Sequence, residues 1–473
     1  MKLYIVTCLL TSLFLGCNST SDKGEIAYFG GEIINPNNNY ITLYATENDR
    51  DTIYLDENNR FLHKIEGLTA GVYKFTHGGE YQTILIEPND SILFRLNTND
   101  FDESLVYTGE GAKKNNYIIK SFLNDEIENK KIINHHDLEP EAFEKFIEDL
   151  RQQKLEYLER FTSTQKTSKL FQKVAQSSID YNYYAYKEMY PFGYYGSNRL
   201  IHFKDLPENF YDFRKDIDYD DVNLSGLAVY SNFIYWHFSN LALRKYYQDG
   251  SHQPFDRHSL DYNLEKLRLI DSTISNDLIK NFALTQVTKD FIFNSTNAEE
   301  SEKILESFLE KNTDKQGKSY LSSIAEASIN LHPGNLLPNT KIVDVNNNVL
   351  DLRSVINKPT VVYCWSSNFK AHYRNSHYMM RSLKSRYPDM EFIAININDF
   401  DLDSWKKTLS LLKFPTENEY IFKNPKEAIR LFAIARSHKV MIVDKKGYIM
   451  KANANLFSEQ MTEDIESVLA LNQ

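Results

Sequence analysis

The spacing of apolar residues divides the chain into three parts with different predicted secondary structure. In residues 25–110, apolar and β-branched residues alternate with polar ones in the runs ITLYAT, DTIYLD, GVYKFTH, YQTILIE and SILFRLN. This period of two predicts strands, and turn-forming stretches such as NPNNN and HGGE separate the runs. Residues 25–110 are therefore predicted to form a small antiparallel sandwich or barrel.

The period becomes helical across residues 111–334. Phe143, Phe146, Ile147 and Leu150 follow the i, i+3, i+4, i+7 spacing of an amphipathic helix, and Leu227–Leu241 carries a second apolar face. Further helices are predicted at 262–272, 277–293 and 299–310. We expect roughly six to eight helices in this part. Because no repeat of fixed period is present, a regular solenoid is not predicted.

Strands and helices alternate in the third part, residues 335–473. KIVDVNNNVLDL predicts a hairpin around an Asn-rich turn, and TVVYCW and EFIAINI predict two buried strands. Helices are predicted at 369–386, 402–413 and 461–471, with a final hairpin formed by KVMIVD and YIMKA. The sequence thus predicts a multidomain α+β protein that ends in a mixed sheet covered on both faces.

The N-terminus carries an export signal. Residues 1–16 contain one charge, Lys2, and an apolar run from Leu3 to Leu15 that is too short to cross a bilayer easily. Gly16 and Cys17 end this signal peptide and resemble a bacterial lipobox, in which the cysteine carries lipid. A polar tether follows, so that residues 17–24 link the anchor to the first domain. The alternative is an ordinary cleaved signal, with Cys17 present by chance.

Composition and charge narrow the classes of partner. The 473 residues carry a formal net charge of −11, without a basic stripe. Nucleic-acid binding rests on neutralising phosphates, so this acidic balance argues against it. No phosphate-binding loop, dinucleotide fingerprint or zinc-type Cys/His spacing is present, and the sequence predicts no cofactor and no metal. After Cys8 and Cys17, only Cys364 remains, which excludes an intramolecular disulfide in the exported chain.

The last part resembles the thioredoxin fold of TlpA-like and peroxiredoxin-like envelope proteins. Pro359, the strand VVYCW with Trp365, the strand FIAINI, and MIVDKKG with Asp444 and Gly447 carry this resemblance. Residues 25–117 are similar to the β domain that precedes such modules in lipoproteins of Bacteroidota type, notably in DTIYLDENNRF, GVYKFTHGGEYQTILIEPNDSI and YTGEGAKKNNYI. The resemblance implies a lipid-anchored protein of the cell envelope, on its periplasmic side or surface.

The residues that carry the family's redox chemistry are missing. The resemblance places a Cys-x-x-Cys pair at the start of the helix after Trp365, where this sequence has Phe369 and His372. It also places a cis-proline before MIVD, at His438. Thiol–disulfide exchange needs one sulfur to attack another, and neither residue supplies one. Cys364 lies within an apolar strand, so we expect neither the exposure nor the positive neighbour that a reactive cysteine needs.

The histidines and acidic residues of this sequence predict no further site. His372 and His377 are five residues apart, about 140° around a helix, and so do not share one metal ion from that helix. His372 and His438 would approach each other in a thioredoxin fold, but two histidines without a carboxylate make a poor metal site. The acidic cluster Asp216, Asp218, Asp220 and Asp221 is interpreted as solvated loop charge.

The aromatic content leaves the function open. Thirteen of the 31 tyrosines fall between Tyr181 and Tyr247; they are predicted to pack between helices or, alternatively, to form an aromatic surface. The first hypothesis is a non-enzymatic, redox-inactive protein that binds or scaffolds an envelope protein or peptide. The second is a TlpA-like or peroxiredoxin-like thiol oxidoreductase. The third is a ligand- or glycan-binding module that uses the tyrosine-rich helices.

Overall fold

A computed structural model of the chain describes most of its length. The described residues are 25–45, 49–194, 203, 206–248, 255–295, 297–367, 369–398, 401–434 and 439–471. The predicted signal peptide, the predicted tether and Cys17 therefore lie outside the described residues, as does His438. No helix among the described residues is both long enough and apolar enough to cross a membrane.

The first part of the chain forms two four-stranded sheets, as the period of two predicts. One sheet has the order β4-β1-β7-β8 and the other β3-β2-β5-β6. All strand pairs are antiparallel except β1 with β7, which are parallel. The strands are β1 (Ile26–Ile34), β2 (Tyr40–Tyr44), β3 (Arg50–Tyr54), β4 (Arg60–Glu66), β5 (Gly71–His77), β6 (Glu80–Ile86), β7 (Ser91–Asn97) and β8 (Val106–Glu110).

Three of these strands, β1, β4 and β8, are absent from the runs singled out in the sequence. In β1, Gly30 and Gly31 interrupt the alternation of apolar and polar residues, although the strand itself is continuous. Both glycines lie close to neighbouring strands: a Cβ on Gly30 would lie 2.7 Å from the carbonyl oxygen of Phe61. In β4 only Phe61 is buried, so its alternation is weak. β8 is short and contains Gly109. Sequence alternation underestimates strands whose pairing depends on close backbone approach.

The middle of the chain is helical, with eight α-helices among the described residues. Phe143 and Ile147 are buried, as the spacing on the second helix predicts. Asn276, Asn297 and Asp314 each cap the helix that follows with a side-chain oxygen. The helices are α1 (Ala112–Ile133), α2 (Pro140–Thr164), α3 (Lys169–Tyr194), α4 (Ala228–Gln248), α5 (Leu260–Thr273), α6 (Asp277–Asn294), α7 (Ala298–Lys311) and α8 (Lys315–Asn330).

A seven-stranded mixed sheet with the order β10-β9-β13-β12-β11-β14-β15 forms the C-terminal part. Its strands are β9 (Lys341–Asp344), β10 (Val349–Asp351), β11 (Thr360–Trp365), β12 (Glu391–Asn396), β13 (Glu419–Phe422), β14 (Lys439–Val443) and β15 (Ile449–Lys451). The helices are α9 (Lys370–Arg386), α10 (Leu402–Leu412), α11 (Pro425–Leu431) and α12 (Gln460–Leu471).

The arrangement of these elements is thioredoxin-like. Strands β11 and β12 are parallel and are joined through α9, whereas β14 runs antiparallel to β11 and continues through β15 to α12. The short elements β13 and α11 are absent from the sequence prediction, because a four-residue strand and a helix of only two turns are too short to show their own period clearly. The predicted fold class is confirmed.

The two faces of this sheet bury separate apolar cores. On one face, Trp365 and Val361 pack against residues of α9, α10 and α12, including Tyr373, Trp405 and Ile465. On the other face, the core is shared with α11 and with α8, a helix of the middle region. The thioredoxin-like sheet is therefore covered on this second face in part by the helical region.

Candidate functional site

The groove that holds a dithiol in related folds lies where β11 ends and α9 begins. All six residues of β11 are buried, and Trp365 at its end is fully so. In the turn that follows, the backbone N–H of Ser367 donates to Oδ1 of Asn398 over 2.7 Å. The side-chain amide of Asn396 donates to Oγ of Ser367 over 3.3 Å. Asparagines at the end of β12 and just after it thus hold this turn in place.

Phe369 and His372 occupy the positions that the resemblance assigns to the dithiol. Phe369 precedes α9 without a side-chain capping bond, and its carbonyl accepts the N–H of Tyr373 over 3.0 Å. His372 is half-buried, with Nε2 3.4 Å from Oγ of Ser376 and its ring centre 6.1 Å from that of Phe457. These contacts place an aromatic ring and an imidazole at the start of the helix. His438, the third predicted position, lies outside the described residues.

Cys364 lies on the opposite face of the sheet from α9. Its side chain is 1% exposed and belongs to the core beneath α8 and α11, whereas its neighbours Tyr363 and Trp365 face α9. Burial raises the pKa of the Cys364 thiol to about 12. The predicted burial of this cysteine is confirmed, and its sulfur is turned away from the groove.

The expectation that Cys364 has no positive neighbour is wrong. Lys439 is its register partner on β14 and is buried as well. Burial lowers the pKa of Lys439 to about 8, and its amine donates to Oδ1 of Asn453. The sequence gives no hint of this pairing because strand register brings together residues 75 positions apart. The effect of burial on the thiol exceeds the opposing effect of Lys439.

A buried His377–Glu419 pair lies on the α9 face of the sheet. Nε2 of His377 is 2.9 Å from Oε1 of Glu419, and Nδ1 donates to the carbonyl of Tyr373 over 2.7 Å. The imidazole stacks on Phe414 with ring centres 3.8 Å apart. Burial raises the pKa of Glu419, although His377 opposes this shift. The pair is 42 residues apart in sequence, so no local pattern predicts it.

The described residues contain no group of three or more potential metal ligands among His, Cys, Asp and Glu. Both ring nitrogens of His377 already bind protein groups. His377 is therefore held in the core of the domain by these two bonds.

The tyrosines of α3 pack inside the helical region. Tyr181, Tyr183 and Tyr190 are buried, and their partly buried neighbours Tyr184, Tyr186 and Tyr194 pack against the same core. Tyr190 stacks on Phe143 with ring centres 4.3 Å apart and donates its hydroxyl to the carbonyl of Leu138. The described tyrosines of this stretch thus adopt the packing role.

The acidic cluster is only partly solvated, which corrects the sequence interpretation. Asp221 is buried, and one of its oxygens lies 2.6 Å from Nζ of Lys173. Oδ1 of Asp220 accepts the backbone N–H groups of Ser275 and Asn276, over 2.7 and 2.6 Å. Two of the four carboxylates therefore hold this loop against α3 and the start of α6, where free backbone N–H groups need acceptors.

A second buried polar cluster, centred on Glu188 of α3, was not predicted. Arg214 binds both carboxylate oxygens of Glu188, and His237 Nδ1 lies 2.8 Å from one of them. The Asn240 amide donates to the Glu188 carbonyl, and the Tyr219 hydroxyl contacts Nε2 of His237. Glu188 is fully buried, and this cluster joins α3, α4 and the segment between them.

Comparisons with known proteins give similarity to solved structures only. No family model matches the chain, and no curated protein matches it significantly. A thioredoxin domain of a thiol-disulfide oxidoreductase from Bacteroides vulgatus is 16% identical, with a TM-score of 0.26, and the match covers 29% of this chain and 97% of that one.

Two further structures give similar values. A thiol:disulfide interchange protein from a Bacteroides species is 18% identical, with a TM-score of 0.25 and coverage of 30% of this chain and 90% of that one. A thiol peroxidase from Chromobacterium violaceum is 14% identical, with a TM-score of 0.26 and coverage of 30% and 89%. Such values say nothing about activity, and the thioredoxin-like assignment rests on the strand order described above.

Proposed function

We propose that this chain is an exported, lipid-anchored cell-envelope protein whose thioredoxin-like domain binds or scaffolds a partner without thiol–disulfide exchange. The observation that carries this proposal is the position of Cys364. It is the only cysteine after Cys17, it is buried within β11, and its sulfur faces away from the groove. Exchange requires an accessible thiolate and a second sulfur to resolve the mixed disulfide.

The residues at the start of α9 are of types suited to binding. Phe369 and His372 replace the dithiol at the start of α9, while Asn396 and Asn398 hold the turn before it. An aromatic ring beside polar groups is a common element of protein and peptide recognition. The bound partner is therefore proposed to be an envelope protein or a peptide.

An insulin-reduction assay with dithiothreitol tests the absence of exchange. The purified chain is expected to show the background rate, and Cys364→Ser is expected to leave that rate unchanged. A matched variant restores the dithiol with Phe369→Cys and His372→Cys together, and it is expected to gain activity because it places two sulfurs at the start of α9. Turnover by the natural chain that disappears in Cys364→Ser would contradict the proposal.

The alternative is a thiol oxidoreductase of the TlpA-like or peroxiredoxin-like type that uses Cys364. Lys439 favours it, because a cation beside a thiol stabilises the thiolate. Labelling with a maleimide separates the two functions. The binding function predicts that Cys364 reacts with the maleimide only after denaturation. The oxidoreductase alternative predicts that it reacts in the native protein at neutral pH.

The anchor is tested separately. The proposal predicts that Cys17→Ser moves the protein from the membrane fraction to the soluble envelope fraction, and that labelled fatty acid is lost at the same time. A membrane-bound Cys17→Ser variant would contradict the anchor and leave the redox proposal untouched.

A further inference from the structure

A cavity of about 70 Å³ lies inside the helical region, away from the thioredoxin-like groove. It is lined by α4, α5, α6, the end of α3 and the chain just before α5, and it opens to solvent beside the exposed residues Arg257 and His258. The rings of Tyr235, Trp236 and Tyr262 form part of its wall. One buried water needs roughly 10–15 Å³ of such space, so the cavity has room for a molecule of several non-hydrogen atoms.

Lys266 of α5 lines this cavity, and no carboxylate among the described residues lies within ion-pair distance of its amine. It is 3% exposed, and its Nζ lies 4.4 Å from the ring centre of Tyr235 and 5.4 Å from that of Tyr262. Within the part of the chain that the structure describes, no hydrogen bond or ion pair reaches this amine. A buried cation without a paired anion is costly. The two rings compensate for only part of this cost.

The other polar groups of the wall are engaged with the protein itself. The Tyr262 hydroxyl donates to the carbonyl of Ser239 over 2.9 Å, and the Ser239 hydroxyl donates to the carbonyl of Tyr235 over 2.7 Å. The Asn263 amide donates to the carbonyls of Arg257 and Ser259. These bonds occupy Tyr262, Ser239 and Asn263, so that the charged groups Lys266, Arg257 and Asp290 are the ones left to meet a polar ligand.

The charges around the cavity are unbalanced towards positive. Arg257 and His258 line it together with Lys266, whereas Asp290 is its only lining carboxylate among the described residues. Burial lowers the pKa of Lys266 to about 7; Asp290 acts against this shift and Arg257 adds to it. Burial and then Arg257 also lower the pKa of His258. The lowered pKa favours neutral His258, so the lining carries one more positive than negative charge when Lys266 is protonated, and this excess attracts a small anion.

We propose that this cavity binds a small organic carboxylate, whose charged end contacts Lys266 and Arg257 and whose apolar end packs on the aromatic wall. A carboxylate satisfies a buried ammonium and a guanidinium through charge-assisted hydrogen bonds. The rings of Tyr235 and Trp236 provide the apolar contact that a bare inorganic anion lacks. This site is independent of the function proposed for the thioredoxin-like domain.

Isothermal titration of the purified full-length chain with benzoate tests the site, with benzamide as the uncharged match. Benzoate is expected to bind with millimolar or tighter affinity, and benzamide at least tenfold more weakly. Sulfate is expected to bind less well than benzoate because it gains nothing from the rings. Equal binding of benzoate and benzamide, or no binding of benzoate at millimolar concentration, overturns the proposal.

Variants locate the binding. Lys266→Met keeps the length of the side chain and removes the amine, and it is expected to weaken benzoate binding at least tenfold. Lys303→Met removes an exposed lysine of α7 that pairs with Glu299, and it is expected to change nothing. Unchanged binding in Lys266→Met overturns the site. If Lys266→Met fails to fold, benzoate binding is measured in Arg257→Met instead, because Arg257 at the mouth of the cavity is the second residue proposed to contact the carboxylate.

The pH dependence gives an independent check. The groups that face Lys266 are Asp290 from α6, Tyr235 from α4, Tyr262 from α5, and Arg257 and His258 before α5. Because the ammonium form binds the carboxylate, affinity is expected to fall about tenfold between pH 6 and pH 8. The fall should shrink in Lys266→Met. A fall of the same size in that variant would assign the titration to His258 and contradict the role of Lys266.

Discussion

At the scale of single residues, burial decides which polar side chains are available for chemistry. Cys364 and Lys439 are neighbours in register, an arrangement that in an exposed site activates a thiol. Here burial raises the pKa of the thiol to about 12. At pH 7 the thiolate is then about 10⁵ times rarer than the thiol. Lys266, by contrast, is buried beside an open cavity, where a bound anion is able to pair with its charge.

Glu188 is a fully buried carboxylate whose charge is paired with Arg214 and His237 inside the helical region. Glu188→Gln keeps its shape but leaves Arg214 and His237 without their anion, and we expect a loss of about 3–5 kcal/mol in the free energy of unfolding. The loss is measured by urea unfolding followed by circular dichroism. Glu148→Gln removes the exposed partner of Arg151 and is the control; it should cost less than about 1 kcal/mol.

The carboxylate of Glu188 also makes the difference in stability between the natural chain and Glu188→Gln depend on pH. Burial alone would raise the pKa of Glu188, but Arg214 and His237 together hold it below its usual value. A carboxyl with a lowered pKa stabilises the fold above its unfolded pKa, and this stabilisation is lost as the pH falls through the folded pKa. The difference between the natural chain and Glu188→Gln should therefore be largest near pH 7 and shrink below about pH 4.5. A constant difference would contradict the assignment.

At the scale of elements, two adjacent asparagines of α1 each form hydrogen bonds to an edge strand of a different sheet of the β domain. Asn115 accepts the N–H of Leu85 over 2.8 Å and donates to its carbonyl over 2.9 Å, at the edge strand β6. Asn116 makes the same pair of bonds to Tyr107 at the edge strand β8, over 2.9 and 2.8 Å. One turn of helix thus satisfies the backbone groups of one residue on an edge strand of each sheet.

Asn115→Leu should destabilise the β domain because it leaves two buried backbone groups of Leu85 without partners. Each such group costs about 1–3 kcal/mol, so we expect a loss of about 2–6 kcal/mol in thermal or urea unfolding. Asn116→Leu is the matched control. Asn116 is only partly buried, so water replaces its bonds and the loss should be smaller. Equal losses of stability in Asn115→Leu and Asn116→Leu would contradict the prediction that the more deeply buried asparagine contributes more.

At the scale of the whole molecule, the thioredoxin-like sheet relies on the helical region for one of its covers. Ile324 and Ala327 of α8 and Leu331 just after it are buried in the same core as Cys364 and Ala428. The Asn453 side chain, which accepts the Lys439 amine, also donates to the carbonyl of Phe293 at the end of α6. The sequence predicts a domain boundary at residue 335. That boundary would assign α8 to the helical region, although α8 covers one face of the thioredoxin-like sheet.

Two fragments test this dependence. A fragment that starts at Asn335 exposes the core face that α8 covers, whereas one that starts at Lys315 keeps it buried. Since burying a Leu or Ile side chain contributes about 1.5–3 kcal/mol, the longer fragment should be more stable by several kcal/mol, melt at a higher temperature and bind less of a hydrophobic dye. Equal melting temperatures would mean that the domain folds fully without α8.

The sequence by itself determined the class of most of the longer elements and showed that Cys364 is the only cysteine after Cys17. Strand and helix periods are local, so long segments such as α2, β11 and β12 follow from them, and a missing sulfur is visible without a structure. Only the tertiary structure decided which face Cys364 occupies, that Lys439 lies beside it, that His377 pairs with Glu419 and that Lys266 lines a cavity. These relations join residues distant in sequence, and both burial and electrostatics depend on how the elements pack.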